Sequence, residues 1–492
     1  MAEARLKRID RSQSYWGAVE IESLIGRDHR ARGIWELVAG LRVDEFLQGN
    51  KSVAGRAGAE RTDPRLLISV WVYGLTLGIG SARELGRQLE REPGLRWLCG
   101  DAAVNHHTLS DFRVEHGAAL DALFSRVLAA LSEAGLVKLE QLTLDGTKIQ
   151  AQAGSSSFRR EPTLRERLQQ AEQLVEQLQQ EAQDEGARTR REAARQRAAD
   201  TQVAQLRQAL EQLEQIRQTK RGADAQANAR ASASEPEARV MKNGQGGYAP
   251  AYNAQTVVDA AHKIVVDVAV TQQASDQTQL EAALARLPQR PPDAAAAQLI
   301  VDGGYVTNCN IAAAAEQGVE LIGPVQDREA LRARNERQAL AQAGIAAEFG
   351  GAVFRIVEDG AALACPAGQR LRRVSQKKRY DQYLAPARAC GACALRPQCC
   401  PRSAARTVKL ARPDPAVEAY HQRMQEPAAQ EAYRLRGPVA EFPHAWWKEK
   451  FGLRKFHVRG LAKARIELKW AALAYNIQQW FRLHWLPQLA AA

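Results

Sequence analysis

The stretch Leu142-Thr143-Leu144-Asp145-Gly146-Thr147-Lys148-Ile149 alternates apolar and polar residues around one carboxylate, that of Asp145. Alternation with β-branched residues predicts a strand that has one buried face. A buried charge must be paired or bound to a metal, so Asp145 either ends the strand in an Asp-Gly turn or belongs to a site. A second apolar run, Leu299-Ile300-Val301, also leads into Asp-Gly, at Asp302-Gly303. Two carboxylates on strand ends in a basic chain favour a divalent-metal site for phosphoryl transfer.

Length and composition indicate a globular protein with a polyanionic partner. A chain of 492 residues is expected to form roughly two to four domains. Its 68 Lys and Arg against 56 Asp and Glu give a net charge of +12, which favours nucleic acid as the partner. Residues 1–11 are polar, and the apolar run 66–79 is too short to span a bilayer. We therefore expect a cytosolic protein with no membrane partner and no disulfide framework.

Residues 1–135 are predicted to be helical. Asp63-Pro64 marks one helix start, Ser81 and Glu84 form a capping box at another, and Thr108 is expected to cap a third. Short helices with basic first turns suit a DNA-binding domain, and they suit a plain helical bundle equally well.

Residues 161–240 have a different pattern. Apolar residues recur at steps of three and four, as in a coiled-coil seam, at Leu164, Leu168, Ala171, Val175 and Leu178 and again at Val203, Leu206, Leu210 and Leu213. The simplest interpretation is an antiparallel helical hairpin, and the alternative is a dimerising coiled coil. Residues 221–240, rich in Ala, Ser, Gly and Arg, are expected to form a flexible return.

Strands are predicted again at 252–259 and 264–270, and a helix at 276–286 precedes the strand that reaches Asp302. A helix at 309–317 and a strand at 319–324 complete the order strand, strand, strand, helix, strand, helix, strand. This is the order of a ribonuclease H-like fold of the α/β class. In that fold the first and fourth strands lie side by side, so Asp145 and Asp302 could share metal ions.

The segment 326–430 contains a cysteine cluster. Cys365, Cys390, Cys393 and Cys399 are the preferred ligands of a structural zinc ion, with Cys400 as a spare. Unliganded or redox-active thiols are the alternative. The basic neighbours of the cluster suggest contact with DNA; they are Arg396, Arg402, Arg406 and Lys409.

The last block, 431–492, is predicted to be helical and interleaves basic with aromatic residues. Such interleaving suits phosphate contact and base stacking. Trp446 and Trp447 are by base rate more often core residues than stacking platforms.

The chain resembles the DDE transposases of bacterial insertion sequences, specifically a long subgroup with a helical N-terminal domain and a Cys-containing insertion. The matching pieces occur in one order along nearly the whole chain. They are Asp63-Pro64-Arg65-Leu66-Leu67, Leu144-Asp145-Gly146-Thr147-Lys148, Tyr252-Asn253-Ala254-Gln255, Val301-Asp302-Gly303-Gly304-Tyr305, the Cys cluster, Tyr433-x2-Arg436-x4-Glu441-x6-Lys448 and Arg459-Gly460.

The resemblance implies a ribonuclease H-like catalytic core assembled from 136–160, 241–325 and 431–492. It also implies a helical DNA-binding domain at 1–135, a coiled-coil insertion with linker at 161–240 and a Cys-rich insertion at 326–430. Family members cut double-stranded DNA at the transposon inverted repeats and join the freed ends to target DNA. We therefore expect a homodimer assembled on DNA ends.

The resemblance further implies that Glu441 joins Asp145 and Asp302 in holding two Mg²⁺ ions, for which Mn²⁺ can substitute. Tyr433, Arg436 and Lys448 match positions that contact terminal phosphates, and Arg459 is expected to contact DNA with them. One departure is His444-Ala445, where a Phe-Gly pair is usual in the family.

Glu431, Glu449 and Glu467 lie in the same helical block as Glu441, and the sequence pattern alone does not choose among them. Pro443 is tolerated in a helix's first turn, which would put Glu441 at the positive helix end. Glu449 and Glu467 are expected to be solvated charges whose Gln variants keep most activity. Two other functions stay open: a ribonuclease H-like nuclease without strand transfer, and an inactive, transposase-derived DNA-binding regulator.

Overall fold

The computed structural model describes residues 18, 20–48, 61–184, 189–244, 246–287, 297–325, 328–377, 380–412 and 414–491. In these ranges the chain forms two compact units. The first consists of Met1–Lys138, Gly146–Ala274 and Val439–Ala492, and the second of Leu139–Asp145 and Ser275–Pro438. None of the described helices combines the length and the apolar character that crossing a bilayer requires.

The N-terminal part is helical, as predicted. Its helices are α1 (Arg30–Gly40), α2 (Pro64–Thr76), α3 (Ala82–Gln88), α4 (Pro93–Cys99), α5 (His106–Glu115) and α6 (Gly117–Glu133). Asp63 and Ser81 cap α2 and α3 as expected. The Glu84 carboxylate, predicted to complete a capping box with Ser81, accepts hydrogen bonds from Arg87 and Gln88. The predicted cap at Thr108 is wrong, because the Asn105 side chain accepts the His107 N–H at 2.9 Å and starts α5 before Thr108. Asn and Thr are both good caps, so the start of this helix was ambiguous in the sequence.

The chain up to residue 322 then contains both strands and helices. They are β1 (Gln141–Gln150), β2 (Phe158–Arg159), α7 (Glu161–Asp184), α8 (Arg190–Thr219), α9 (Ala223–Ala227), β3 (Ala231–Ser232), β4 (Arg239–Lys242), β5 (Tyr248–Asp259), β6 (Ile264–Thr271), α10 (Leu280–Leu284), β7 (Gln298–Val301), α11 (Asn308–Glu316) and β8 (Glu320–Ile322).

The rest of the chain begins with α12 (Arg328–Ala343) and a group of short strands and ends in helices. The elements are β9 (Arg355–Val357), β10 (Ala362–Ala364), β11 (Arg370–Gln376), β12 (Tyr380–Leu384), α13 (Ala387–Gly391), α14 (Arg396–Cys399), β13 (Thr407–Ala411), α15 (Pro415–Arg423), α16 (Pro427–Arg434), α17 (Arg436–Glu449), α18 (Leu461–Trp480) and α19 (Leu486–Ala491).

In the first unit the central strand is β5, which lies next to β1 in the strand order. Both β4 and β6 pair antiparallel with β5, β4 along its first residues and β6 along the remainder. The β5–β6 register shifts between Val257 and Val258, a bulge that leaves part of the β6 backbone out of the ladder.

The helix α18 forms the centre of the first unit's core. Most of its side chains are buried, and it packs on α2, α6 and β6. The fully buried Asn476 carboxamide accepts the Val265 N–H at 2.9 Å and donates to the Val265 carbonyl at 2.7 Å. Because buried backbone groups need partners, Asn476 satisfies both backbone groups of Val265 and fixes the position of α18 on β6.

Glu467 of α18 corrects one prediction. It was expected to be a solvated charge, but its side chain is only 4% exposed. Its carboxylate accepts the His457 backbone N–H at 2.9 Å and lies 2.7 Å from the His457 Nδ1 and 3.7 Å from the Arg113 guanidinium. The exposed Glu449, by contrast, pairs with Arg454 at the surface. The sequence could not separate them, because only tertiary packing brings Arg113 to Glu467.

Helices α7 and α8 pack on each other as an antiparallel pair. Glu161 pairs with Arg217 and Glu172 with Arg207, so the start of α7 lies beside the end of α8. Between the two helices lies a buried apolar cluster that contains Leu164, Ala171, Val203, Leu206 and Leu213 of the predicted seam, together with Ala209, which was not predicted.

The segment after this helix pair is more ordered than the flexible return predicted for 221–240. It contains α9, β3 and the start of β4, and Glu235 within it is 1% exposed. Its small and polar residues made the segment resemble a linker, whereas Ala229, Ala231 and Ala238 are buried in apolar clusters and Glu235 makes buried polar contacts.

In the second unit the first residues of β1 pair in parallel with β7, and β7 pairs in parallel with β8. A separate antiparallel sheet has the order β13-β12-β11-β10-β9. Its buried side, with Phe354, Leu363, Leu371, Tyr383 and Val408, forms a small core of its own.

We predict that Glu467→Ala lowers the free energy of unfolding by roughly 3–5 kcal/mol, because it leaves the buried Arg113 guanidinium without its carboxylate. The matched control is Glu449→Ala, which removes an exposed ion pair and should cost about 0–1 kcal/mol. Urea unfolding of the full chain measures both. Equal losses for the two variants would contradict the structural role of Glu467.

Candidate active site

Asp145 and Asp302 follow directly on residues that pair in register. In the parallel pair β1–β7, Leu142 lies opposite Leu299, Thr143 opposite Ile300 and Leu144 opposite Val301. The next residue on each strand is an aspartate, and neighbouring strands are about 4.8 Å apart. The two predicted carboxylates therefore lie side by side at the carboxyl end of β7.

The two aspartates differ in their backbone. Asp302 begins a turn in which the Gly304 N–H donates to its Oδ1 at 2.8 Å. Asp145 was considered as the end of its strand, but β1 continues through it to Gln150. Beyond Asp145 the strand has other partners, since the Gln150 N–H donates to the Arg454 carbonyl and the Phe456 N–H donates to the Gln150 carbonyl. The Asp-Gly turn interpretation is therefore wrong for Asp145.

Gly304 has to be a glycine for a local reason. A Cβ added there would lie 2.9 Å from Asp302 Oδ1, the atom that accepts the Gly304 amide proton. A side chain at 304 would displace the carboxylate, so the second glycine of the Gly303-Gly304 pair sets the orientation of Asp302.

Arg436, at the start of α17, lies beside both carboxylates. Its Nη2 is 3.9 Å from Asp145 Oδ1 and 3.7 Å from Asp302 Oδ2. Its Nε is buried and has no hydrogen-bond partner among the described residues. Two neighbouring carboxylates repel each other, and an adjacent guanidinium reduces that repulsion. Within this group of three the negative charge still exceeds the positive, which suits a site for a cation.

Glu441 lies on α17 in the first unit, and its side chain is exposed. It was predicted to stand in the first turn of its helix because Pro443 follows. That prediction is wrong: α17 begins at Arg436 and contains Pro443 in its interior. Proline removes one helical hydrogen bond, and here the burial of Val439, Pro443 and Trp447 on one helix face offsets that loss.

Lys448 and His444 lie further along α17. The Lys448 ammonium donates to the hydroxyl of Thr147, two residues after Asp145 in the sequence. The His444 ring, at the position that departs from the family pattern, is buried and lies 3.0 Å from the Thr256 hydroxyl. His444 is thus a core residue that anchors α17 on β5. Thr147 was missed as a Lys448 partner, because nothing in its sequence context distinguishes it from an ordinary strand threonine.

In the described ranges no group of three or more His, Cys, Asp or Glu side chains has the geometry of a metal site. The donors that are brought together, Asp145 and Asp302, are hard carboxylate oxygens, the ligand type that Mg²⁺ prefers.

Two family models match the chain. Residues 364–481 match the model described as Transposase DDE domain, and residues 19–115 match the one described as Transposase domain (DUF772). Together the two matches support a DDE transposase of an insertion sequence. No curated protein and no solved structure matches it significantly. The first match includes Arg436, Glu441 and Lys448, whereas Asp145 and Asp302 lie outside both matches.

The Transposase DDE domain that residues 364–481 match implies an enzyme of DNA transposition with DNA as its substrate. The other residues predicted to contact DNA lie on α16 and ahead of α18. Tyr433 is half-buried on α16, and Arg459 is exposed next to Gly460, which precedes α18.

Glu235 positions the Arg459-Gly460 segment of the transposase, and sequence reasoning missed it. Its buried carboxylate accepts N–H groups from Ala153 at 2.7 Å and Gly460 at 3.1 Å, and the Tyr252 hydroxyl at 3.0 Å. Burial and the Glu235 carboxylate raise the pKa of Tyr252, so its hydroxyl remains a donor. The signal available in the sequence was the pair of acidic residues flanking Pro236, within an Ala-rich segment.

Three of the predicted zinc ligands, Cys365, Cys390 and Cys399, lie near one another together with Cys400, which was predicted only as a spare. Cys365, Cys390 and Cys399 pack against the small core of the antiparallel sheet. Burial raises the pKa of the Cys399 thiol to about 11, and burial together with Cys390 raises the pKa of the Cys400 thiol. None of the seven cysteines, all in the described ranges, forms a disulfide.

We predict that the transposase purified without chelator carries about one zinc ion per chain, since neighbouring thiols become thiolate ligands when zinc binds. Cys390→Ser with Cys393→Ser should lose the zinc, and Cys309→Ser, outside the cluster, should keep it. Elemental analysis measures the content. If zinc is absent and every thiol of the folded protein can be titrated, the cysteines are unliganded.

Proposed function

We propose that this transposase binds the terminal inverted repeats of its insertion sequence, cuts DNA there and transfers the freed strands to target DNA. The observation that carries the proposal is the carboxylate pair of Asp145 and Asp302, held in register at the ends of paired parallel segments beside Arg436. Together with the two transposase matches, this pair favours phosphoryl transfer on DNA over DNA binding alone.

We assign the catalytic core a ribonuclease H-like fold. The element order β1, β5, β6, α10, β7, α11, β8 supports it. So do the parallel pairing of β1 with β7 and the antiparallel pairing of β5 with β6. In this proposal residues 161–240 and 326–430 are insertions into the core, and residues 1–135 form the DNA-binding domain.

Asp145, Asp302 and Glu441 would hold two Mg²⁺ ions, or Mn²⁺ in their place. When bound, such ions stabilise the attacking and leaving oxygens of a phosphoryl transfer. The chain's own contribution is to hold the carboxylates in place: the strand register sets the separation of the aspartates, and the Gly304 amide orients Asp302.

Arg436, Lys448, Tyr433 and Arg459 are proposed to bind the DNA phosphates at the site. A planar guanidinium can contact a phosphate with two parallel hydrogen bonds, whereas Lys supplies a point charge. The unpartnered, buried Arg436 Nε supports this role, because an additional acceptor would satisfy it. The proposed assembly is a homodimer on two DNA ends, in the bacterial cytoplasm at the nucleoid.

The experiment that separates this function from its alternatives uses DNA ends already cut to expose a 3′-OH, together with a target plasmid. A transposase joins the ends to the plasmid. A ribonuclease H-like nuclease cuts uncut ends but gives no joined product, and an inactive regulator binds the ends without cutting or joining them.

We predict that Asp145→Asn, Asp302→Asn and Glu441→Gln each abolish cleavage while DNA binding changes little, because each removes a carboxylate ligand. Glu449→Gln, which alters an exposed carboxylate on the same helix as Glu441, is the matched control and should keep most activity. Glu467→Gln is unsuitable as a control, since that carboxylate is buried. Normal cleavage by Glu441→Gln, with Mg²⁺ or Mn²⁺, would remove Glu441 from the site.

A further inference from the structure

The start of α8 carries a cluster of arginines, here called the tip patch. It consists of Arg190, Arg191, Arg195 and Arg197, all exposed. Gln196, Ala199 and Val203 are the buried residues of this part of α8 and share one helix face, and Val203 belongs to the apolar cluster shared with α7. The tip patch therefore faces away from the seam between the two helices.

Other arginines of the helix pair have acidic partners. Arg165 and Arg217 both pair with Glu161, and Arg207 pairs with Glu172. Within the ranges that the structure describes, no ion pair involves an arginine of the tip patch. The one carboxylate in this run of sequence, that of Glu192, already accepts the Thr189 N–H at 2.9 Å in a capping box.

The tip patch works against the stability of the helix that carries it. Arg191 and Arg195 are four residues apart, where like charges on a helix repel. Arg190 and Arg191 lie in the first turn of α8, where the helix dipole disfavours cations. A basic patch with no ion pair among the described residues, at positions where it destabilises its own helix, points to an anionic partner outside the described residues.

We propose that the tip patch binds the phosphate backbone of duplex DNA without reading its sequence, as a contact additional to the proposed active site. The proposal rests on the proposed function, in which the substrate is DNA. Residues 190–197 extend about 10 Å along a helix axis, over which one DNA strand presents roughly three phosphates. Guanidinium groups suit phosphate oxygens, and the patch offers only cations and no aromatic side chain for base stacking.

The test compares two triple variants of the full chain that carry the same charge change in the same helix pair. The first is Arg191→Gln, Arg195→Gln and Arg197→Gln. The control is Arg165→Gln, Arg207→Gln and Arg217→Gln, which removes the arginines that already have partners. Affinity for a duplex of random sequence and for one containing the inverted repeat is measured between low and moderate salt, with circular dichroism to confirm folding.

The tip variant should bind both duplexes about tenfold or more weakly at roughly 0.1 M salt. The slope of its log Kd plotted against log salt concentration should fall by about 2–3, since each lost phosphate contact contributes about 0.9. The control should stay within about twofold of the unchanged chain. Arg→Lys at the three tip positions should restore most of the slope, because charge is retained.

An unchanged slope in the tip variant, or an equal loss in the control, overturns the proposal. Loss of a dimer in light scattering with an unchanged slope also overturns it and identifies a second copy as the occupant. If the unchanged chain binds DNA but neither cuts nor joins it, the proposed function fails while the tip-patch proposal is still decided by the slope.

Discussion

The parallel register of β1 and β7 is the constraint on which the site depends. It sets Asp145 and Asp302 side by side, and two carboxylates that close need a cation nearby. The chain supplies one from far along the sequence, because α16 packs against β7 and β8 and is followed directly by Arg436. The second unit thus contains a charged group of three whose members come from three separate sequence segments.

A few buried polar groups fix the first unit in a similar way. Asn476 bonds both backbone groups of Val265, and Glu467 bonds His457 and lies beside Arg113. Apolar packing alone would allow α18 to rotate or slide, whereas an unmade buried hydrogen bond costs about 1–3 kcal/mol. These groups therefore select one position for the helix. Arg113 lies within one family match and Glu467 within the other, so the pair also joins the helical N-terminal part to the DDE domain.

Local sequence patterns predicted the strands and helix starts that local interactions determine. The alternation around Asp145 and the apolar run before Asp302 gave the strands, and Asp63 gave a helix start. Asn105, Pro443 and Glu467 were misjudged for three separate reasons. Two good caps stood close together at Asn105, packing outweighed a missing hydrogen bond at Pro443, and a remote arginine came to Glu467. The pairing of Asp145 with Asp302 was expected from the order of elements, but Arg436 beside them could come only from the tertiary structure.

Glu235 shows why a segment that resembles a linker can be structural. Its carboxylate accepts the Gly460 N–H and that of neighbouring Glu237 accepts the Leu461 N–H, so two acidic residues meet the first amides of α18. The first amides of a helix have no partner within it, and its dipole favours negative charge there. A segment that follows the α7–α8 pair thus supplies the cap for the central helix. The segment that returns from the α7–α8 pair therefore has a structural role, because it brings both carboxylates to Gly460 and Leu461.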